Sequence, residues 1–124
     1  MKNESEELYN YLTEIAERSQ NGDILWTQPN PSSFHWLQIT DDDQFQVIIQ
    51  KAKNPKSRIR AISDEHEFVY MFQVQSKRSR QTLMSISSGE RQEFYRVLAG
   101  IFEGAERGID VRSSNVLRKL LQKD

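Results

Sequence analysis

The feature that most constrains this chain is the change in its hydrophobic period. Over residues 4–21 apolar side chains recur at helical spacing: Leu8, Leu12, Ile15 and Ala16, with Ser19 on the same stripe. From Ile24 onward the period becomes two, the pattern of strands with one face covered. It is cleanest over Glu67–Ser76, where Phe68, Tyr70, Phe72 and Val74 share a face. Helical spacing then returns in Phe94, Val97, Leu98, Ile101, Phe102 and Ala105. Helices segregated to the two ends of a run of strands specify an α+β fold.

Turn residues divide the run. Asn21-Gly22 stops the first helix, which Asn3 and Glu6 begin as a capping box. Strands are expected at Ile24–Trp26, Ser33–Thr40, Gln44–Ala52, Arg58–Ile62, Glu67–Ser76 and Thr82–Ile86. The loop 28–32 with Pro29 and Pro31, Asp41-Asp42-Asp43, Asn54-Pro55, residues 63–66 and residues 77–81 separate them. Connections this short make neighbouring strands antiparallel. Ser87 and Glu90 form a second capping box, and Gly108 stops the helix that follows. A last helix, Ser114–Gln122, carries Val116, Leu117, Leu120 and Leu121, with Ser113 as its cap. Gly100 and Gly104 either weaken the longer helix or admit another backbone closely. The expected architecture is one α+β domain over residues 1–124. It has an N-terminal helix, an antiparallel meander of five to six strands, and two C-terminal helices packed on one face. The face carrying Gln46, Gln50, Gln73 and Gln75 is expected to be the wetter one.

Composition excludes whole classes of chemistry. At 124 residues and 36% hydrophobic the chain makes one domain with a lean core. It has no Cys, so disulfide frameworks, thiol redox chemistry and thiolate metal sites are out. The opening MKNESEELYNYL has no apolar segment of the secretory kind, and no apolar run approaches a membrane span, so a cytoplasmic location is expected. No Gly-x-Ser-x-Gly elbow, phosphate loop or dinucleotide fingerprint occurs, and Ser88-Gly89 suits a helix cap. Asp64 and Glu67 could be imagined as acid and base, but a solvated turn is a poor place for such a pair. The reading is therefore not an enzyme, with no catalytic residue. His35 and His66 lack partners at metal-ligand spacing. Asp41, Asp42 and Asp43 with Asp64 and Glu65 could gather a hard cation but lack a calcium-loop pattern, so no metal and no cofactor is expected. Trp26, Phe34, Trp36, Phe45, Phe68, Tyr70 and Phe72 are needed for the core before they can serve as a stacking platform. Tyr9, Tyr11 and Tyr95 lie beside the stripes and are candidates for protein contact.

Charge is unevenly laid out. Residues 1–50 carry two basic and nine acidic side chains, and residues 51–80 eight basic and three acidic. In a zigzag of six strands, alternate turns share an end. The basic turns at 53–57 and 77–81 would then form one pole, and the acidic turns at 41–43 and 63–67 the other. Such a field steers an oppositely charged partner, although charged hairpin ends also serve simply to deter edge-to-edge association. The expected function is a small non-enzymatic protein-binding module, an accessory, immunity or inhibitor-type factor. Its candidate binding residues are Lys51, Lys53, Lys56, Arg58, Lys77, Arg78 and Arg80. The alternative is a nucleic-acid or anion-binding module using the same basic turns, against which the net charge of −1 argues.

The segment from Leu12 to Trp26, with Ser19, Gly22, Ile24 and Trp26, resembles the opening of a loose group of small bacterial and phage-borne proteins. In these a helix stops at Gly, and an apolar residue and a Trp follow on the first strand of a β-meander. The resemblance implies a bacterial or mobile-element origin and a non-enzymatic role. It supplies no site residue. The basic stretch Lys51–Arg60 and the second C-terminal helix depart from the pattern.

Overall fold

The structure, a computed structural model, describes residues 4–54 and 67–121. Three glutamates occupy the first turn of α1 (Glu4–Gln20), where the helix dipole favours negative charge. Leu12, Ala16 and Ser19 are its buried stripe. Gly22, at φ +77°, supplies the left-handed residue just past its end. Five strands follow: β1 (Thr27–Asn30), β2 (Ser33–Ile39), β3 (Gln44–Lys53), β4 (Phe68–Ser76) and β5 (Thr82–Ser87). A 3-10 turn at Gln92–Phe94 leads into α2 (Tyr95–Leu120). The strands lie in chain order, each antiparallel to the next. This is the expected α+β class: helix, antiparallel meander, helix.

Register sorts the two faces of the sheet. Phe34, Ile49, Phe72 and Ile86 form one row across β2–β5, and Trp36, Val47 and Val74 form the next. These rows meet Leu98, Ile101, Phe102 and Ala105 of α2 and Leu12 and Ala16 of α1 in a single core. Phe102 lies edge-on to Phe34 with ring centroids 4.9 Å apart, and 5.7 Å from Tyr70. Phe34, Trp36, Phe68, Tyr70 and Phe72 therefore fill the core beneath the helices, while Phe45 lies outside it.

The start of the meander differs from expectation. Ile24–Trp26 is a connection rather than a strand, with Ile24 and Trp26 buried at 4% and 1% exposure and Leu25 turned outward. The strand begins at Thr27 and contains Pro29, within the expected loop. Proline has no N–H to donate, and β1 is an edge strand, where that omission is tolerated. The tryptophan is drawn instead to α1, where its Nε1 donates to Ser19 Oγ at 2.9 Å.

The C-terminal half differs more. One helix stands where two were expected, and it runs through Gly108 and Ser113 unbroken. A Cβ at Gly108 would stand 2.7 Å from the Ser19 carbonyl oxygen, and one at Gly104 2.9 Å from Ser19 Cβ. These glycines answer the close approach of α1, so Gly108 is a packing residue and not a stop. Ser87 does not cap α2. Its Oγ accepts from Gly89 N–H at 3.1 Å within a turn, and α2 begins at Tyr95 with no side-chain cap. The expected strand Arg58–Ile62 lies outside the described residues. β3 and β4 pair directly with each other, from Phe45–Ser76 to Lys53–Phe68.

Candidate functional site

Direct pairing of β3 with β4 overturns the shared basic pole. Among the described residues one strand, β4, lies between the end of β3 and the turn at 77–81. Lys53 ends β3 opposite Phe68, whereas Lys77 N–H bonds to Gln44 O, at the start of β3, at 2.8 Å. The two ends of that strand are about 30 Å apart at ~3.3 Å per residue. Charges so separated act independently at physiological salt, where screening sets in over ~8 Å. Lys56 and Arg58 lie outside the described residues, as do Asp64 and Glu65. Lys51 leans to the helix side, its Nζ 4.6 Å from the Phe68 ring centroid and 4.9 Å from that of Phe102. Lys77, Arg78 and Arg80 stand at the other pole, so the described candidates are split between Lys51 and Lys53 towards one end of the sheet and these three at the other.

At that pole the basic turn meets the acidic one. Asp43 Oδ1 accepts from Gln44 N–H at 2.7 Å and from Arg78 N–H at 3.1 Å, and Oδ2 accepts from the Ser76 hydroxyl. Arg78 Nη1 donates to Asp42 O at 3.2 Å. The Ser76 hydrogen bond, with the two amides and the Arg78 charge, holds the Asp43 carboxyl below the usual carboxylate range. The hollow between the two turns, lined from Ile39 to Gln44 and by Lys77 and Arg78, is an open depression of about 360 Å³. Of its carboxylates, Asp43 is the one that the basic turn engages.

The sheet face turned away from the helices is a different kind of surface. β2 supplies Ser33, His35, Leu37 and Ile39; β3 supplies Gln44, Gln46, Ile48, Gln50 and Ala52; β4 supplies Val69, Met71, Gln73 and Gln75. Thr82, Ser85 and Ser87 of β5 pair onto the same side. None of these residues is charged, in a chain of which 28% is charged. Ile48, only 6% exposed, sits at the centre, with Gln46 and Gln50 beside it on the strand and His35 and Gln73 across from it. Leu37 and Ile39 stand out at 49% and 63% exposure. Gln46 Nε2 is 2.8 Å from His35 Nδ1. Burial, and then the Lys77 charge, push the His35 pKa down, so the imidazole is neutral near pH 7. The sequence reading identified this face by its glutamines but missed its absence of charge. That signal lay in strand parity: even positions of 44–52 and odd positions of 69–75 carry no Asp, Glu, Lys or Arg.

The two edges of the sheet are unlike. β1 is four residues long, contains Pro29 and has an irregular register, all of which blunt an edge. β5, Thr82-Leu83-Met84-Ser85-Ile86-Ser87, has neither proline nor charge.

Among the described residues no three His, Asp or Glu side chains gather where they could hold a metal ion. No helix among them is long and apolar enough to cross a membrane. Compared with known proteins, the chain matches no family model, no curated protein and no solved structure.

Proposed function

We propose that this protein is a small non-enzymatic protein-binding module of the accessory, immunity or inhibitor kind, acting in the cytoplasm and engaging its partner through the open face of the sheet. The observation that carries the reading is the lack of charge across that face. Interface centres are depleted in charged residues relative to the rest of a protein surface. A face kept free of Lys, Glu, Asp and Arg is cheap to dehydrate, while glutamine amides and hydroxyls remain to satisfy a partner's polar groups. Across five strands at ~4.8 Å spacing and some seven residues along each, it offers on the order of 400–500 Å². That is the core of a standard interface, whose contribution per partner is about 800 Å². Leu37 and Ile39 provide its apolar contacts. A module that binds single strands by stacking needs exposed rings amid basic side chains, and one that binds phosphates needs its basic side chains gathered. Phe34, Trp36, Phe68, Tyr70 and Phe72 instead pack in the core with the helices, and the described basic candidates are divided between poles.

The test is recovery of a stoichiometric protein partner from the native host, compared with variants that put charge on the open face. Gln46→Lys with Gln73→Lys should weaken the complex about 100-fold, the scale of losing a central interface contact. Lys77→Glu with Arg80→Glu should leave it intact. Retention of the partner by the lysine variant, or binding of single-stranded nucleic acid that falls steeply with salt, would refute the reading.

A further inference from the structure

α2 outruns the sheet that it covers. Phe102 points onto Phe34 and Tyr70. Leu120, eighteen residues and five turns of 3.6 later, has the same azimuth, yet it is 72% exposed. Ile109 is the last residue of this stripe packed against the core. Val116, Leu117 and Leu121 are 54%, 58% and 66% exposed, and every residue from Ser113 to Leu121 is exposed. Under the overhang lies an open groove of about 480 Å³ lined by Ile109, Arg112, Ser113, Val116 and Leu117. Arg112 Nη2 donates to the Trp26 carbonyl beside β1. Its Nε is buried with no acceptor.

We infer that the groove is filled by the same segment of a second copy, giving a two-fold dimer in which residues 109–121 of two α2 helices pair antiparallel. This goes beyond the open-face reading and does not depend on it. Orientation selects this occupant. The apolar stripe continues the side of α2 that faces the sheet, so a parallel partner would drive its own sheet into the helix it pairs with. Antiparallel pairing sets the two sheets at opposite ends of the joined tails. Charge selects it as well. Lys119 continues the stripe of Gly104 and Gly108, the flank that faces α1. A two-fold axis perpendicular to the helices brings like flank to like flank. Each Lys119 thus arrives at the C-terminal end of the second copy's α1, where the negative end of the helix dipole and Asp23 favour a cation. The tail's last turn is basic, with Arg118 and Lys119. The exposed tail is about 13 Å long at 1.5 Å per residue, which places the contact at the small end of protein interfaces.

Because the chain has no cysteine, single cysteines report the orientation without background. Ser113→Cys, close to the two-fold axis, should cross-link to its own copy with a short bismaleimide. Leu121→Cys should not, since antiparallel pairing separates the two positions by about 20 Å along the axis. In analytical ultracentrifugation the unmodified protein should dimerise with rising concentration in the micromolar range. Leu117→Asp with Leu120→Asp should raise the apparent dissociation constant at least ~100-fold. Both sites are exposed, so circular dichroism should be unchanged. Four results would overturn the inference: a monomer up to about millimolar concentration, the reverse cross-linking pattern, a dimer indifferent to the aspartates, or a different protein that co-purifies with the unmodified chain and is lost from the aspartate variant.

Discussion

Ser19 ties three elements together through a few atoms. Its hydroxyl donates to Ile15 O at 2.7 Å and accepts from Trp26 Nε1 at 2.9 Å. Its carbonyl accepts from Gly22 N–H at 3.1 Å and lies against Gly108. With Trp26 only 1% exposed, Ser19→Ala leaves an indole N–H with neither partner nor water. The expected loss is about 1–3 kcal/mol in urea unfolding. Adding Trp26→Phe should cost less than the sum of the two single changes, since the orphaned donor is then gone. Asp43 plays a corresponding part between β-turns, and its lowered pKa fixes the sign of a pH effect. A carboxyl whose folded value lies below its unfolded one contributes fully above the unfolded value, and that contribution disappears as pH falls through the folded value. Denaturation curves from about pH 5 down to pH 2 should therefore lose part of their slope in Asp43→Asn. An unchanged slope would show that the carboxylate does not stabilise the turn pair.

At the scale of elements, the glycines of α2 divide by what stands opposite them. Ala replaces Gly in a helix interior with a gain of up to ~1 kcal/mol in propensity. At Gly100 the new Cβ would meet Ala16 Cβ at 3.7 Å, an ordinary contact, so Gly100→Ala should stabilise by a fraction of that amount. At Gly108 the new Cβ would meet a backbone oxygen at 2.7 Å. There overpacking wins, and Gly108→Ala should destabilise by about 1–3 kcal/mol. Thermal melts of the two variants should move in opposite directions. A matching sign would mean that the helices are free to separate at the lower contact. The same pair of residues explains a misreading. A glycine at the end of an apolar stripe looks identical in sequence whether it stops a helix or admits a neighbour.

At the scale of the molecule, an acidic turn and a basic turn meet at one pole of the sheet. The acidic turn after β2 and the basic turn after β4 close one pole on each other, leaving the uncharged sheet face as the distinct surface. Polar pairing of turns depends on how many strands intervene, and a single strand more or less reverses it. The sequence run 58–62 carries a period-two pattern that fits a strand, and counting it placed the basic turns together. The open face was legible in part: Gln46, Gln50, Gln73 and Gln75 were read onto one side because side-chain alternation is local. The overhang of α2 was not legible, because Val116, Leu117 and Leu120 have the spacing of any core stripe. Exposure depends on where the sheet ends beneath them.

Hydrophobic periods, turn residues and caps act over a few neighbours, and by themselves they determined α1, the antiparallel order of the strands, the helix side of the sheet and the burial of most of its aromatics. Only the tertiary structure decided which strands pair across the longest connection, that Gly108 packs instead of breaking a helix, which charges meet, and which apolar stripe is left without a floor. Each of these is a contact between segments far apart in the chain, and residue spacing carries no information about such distances.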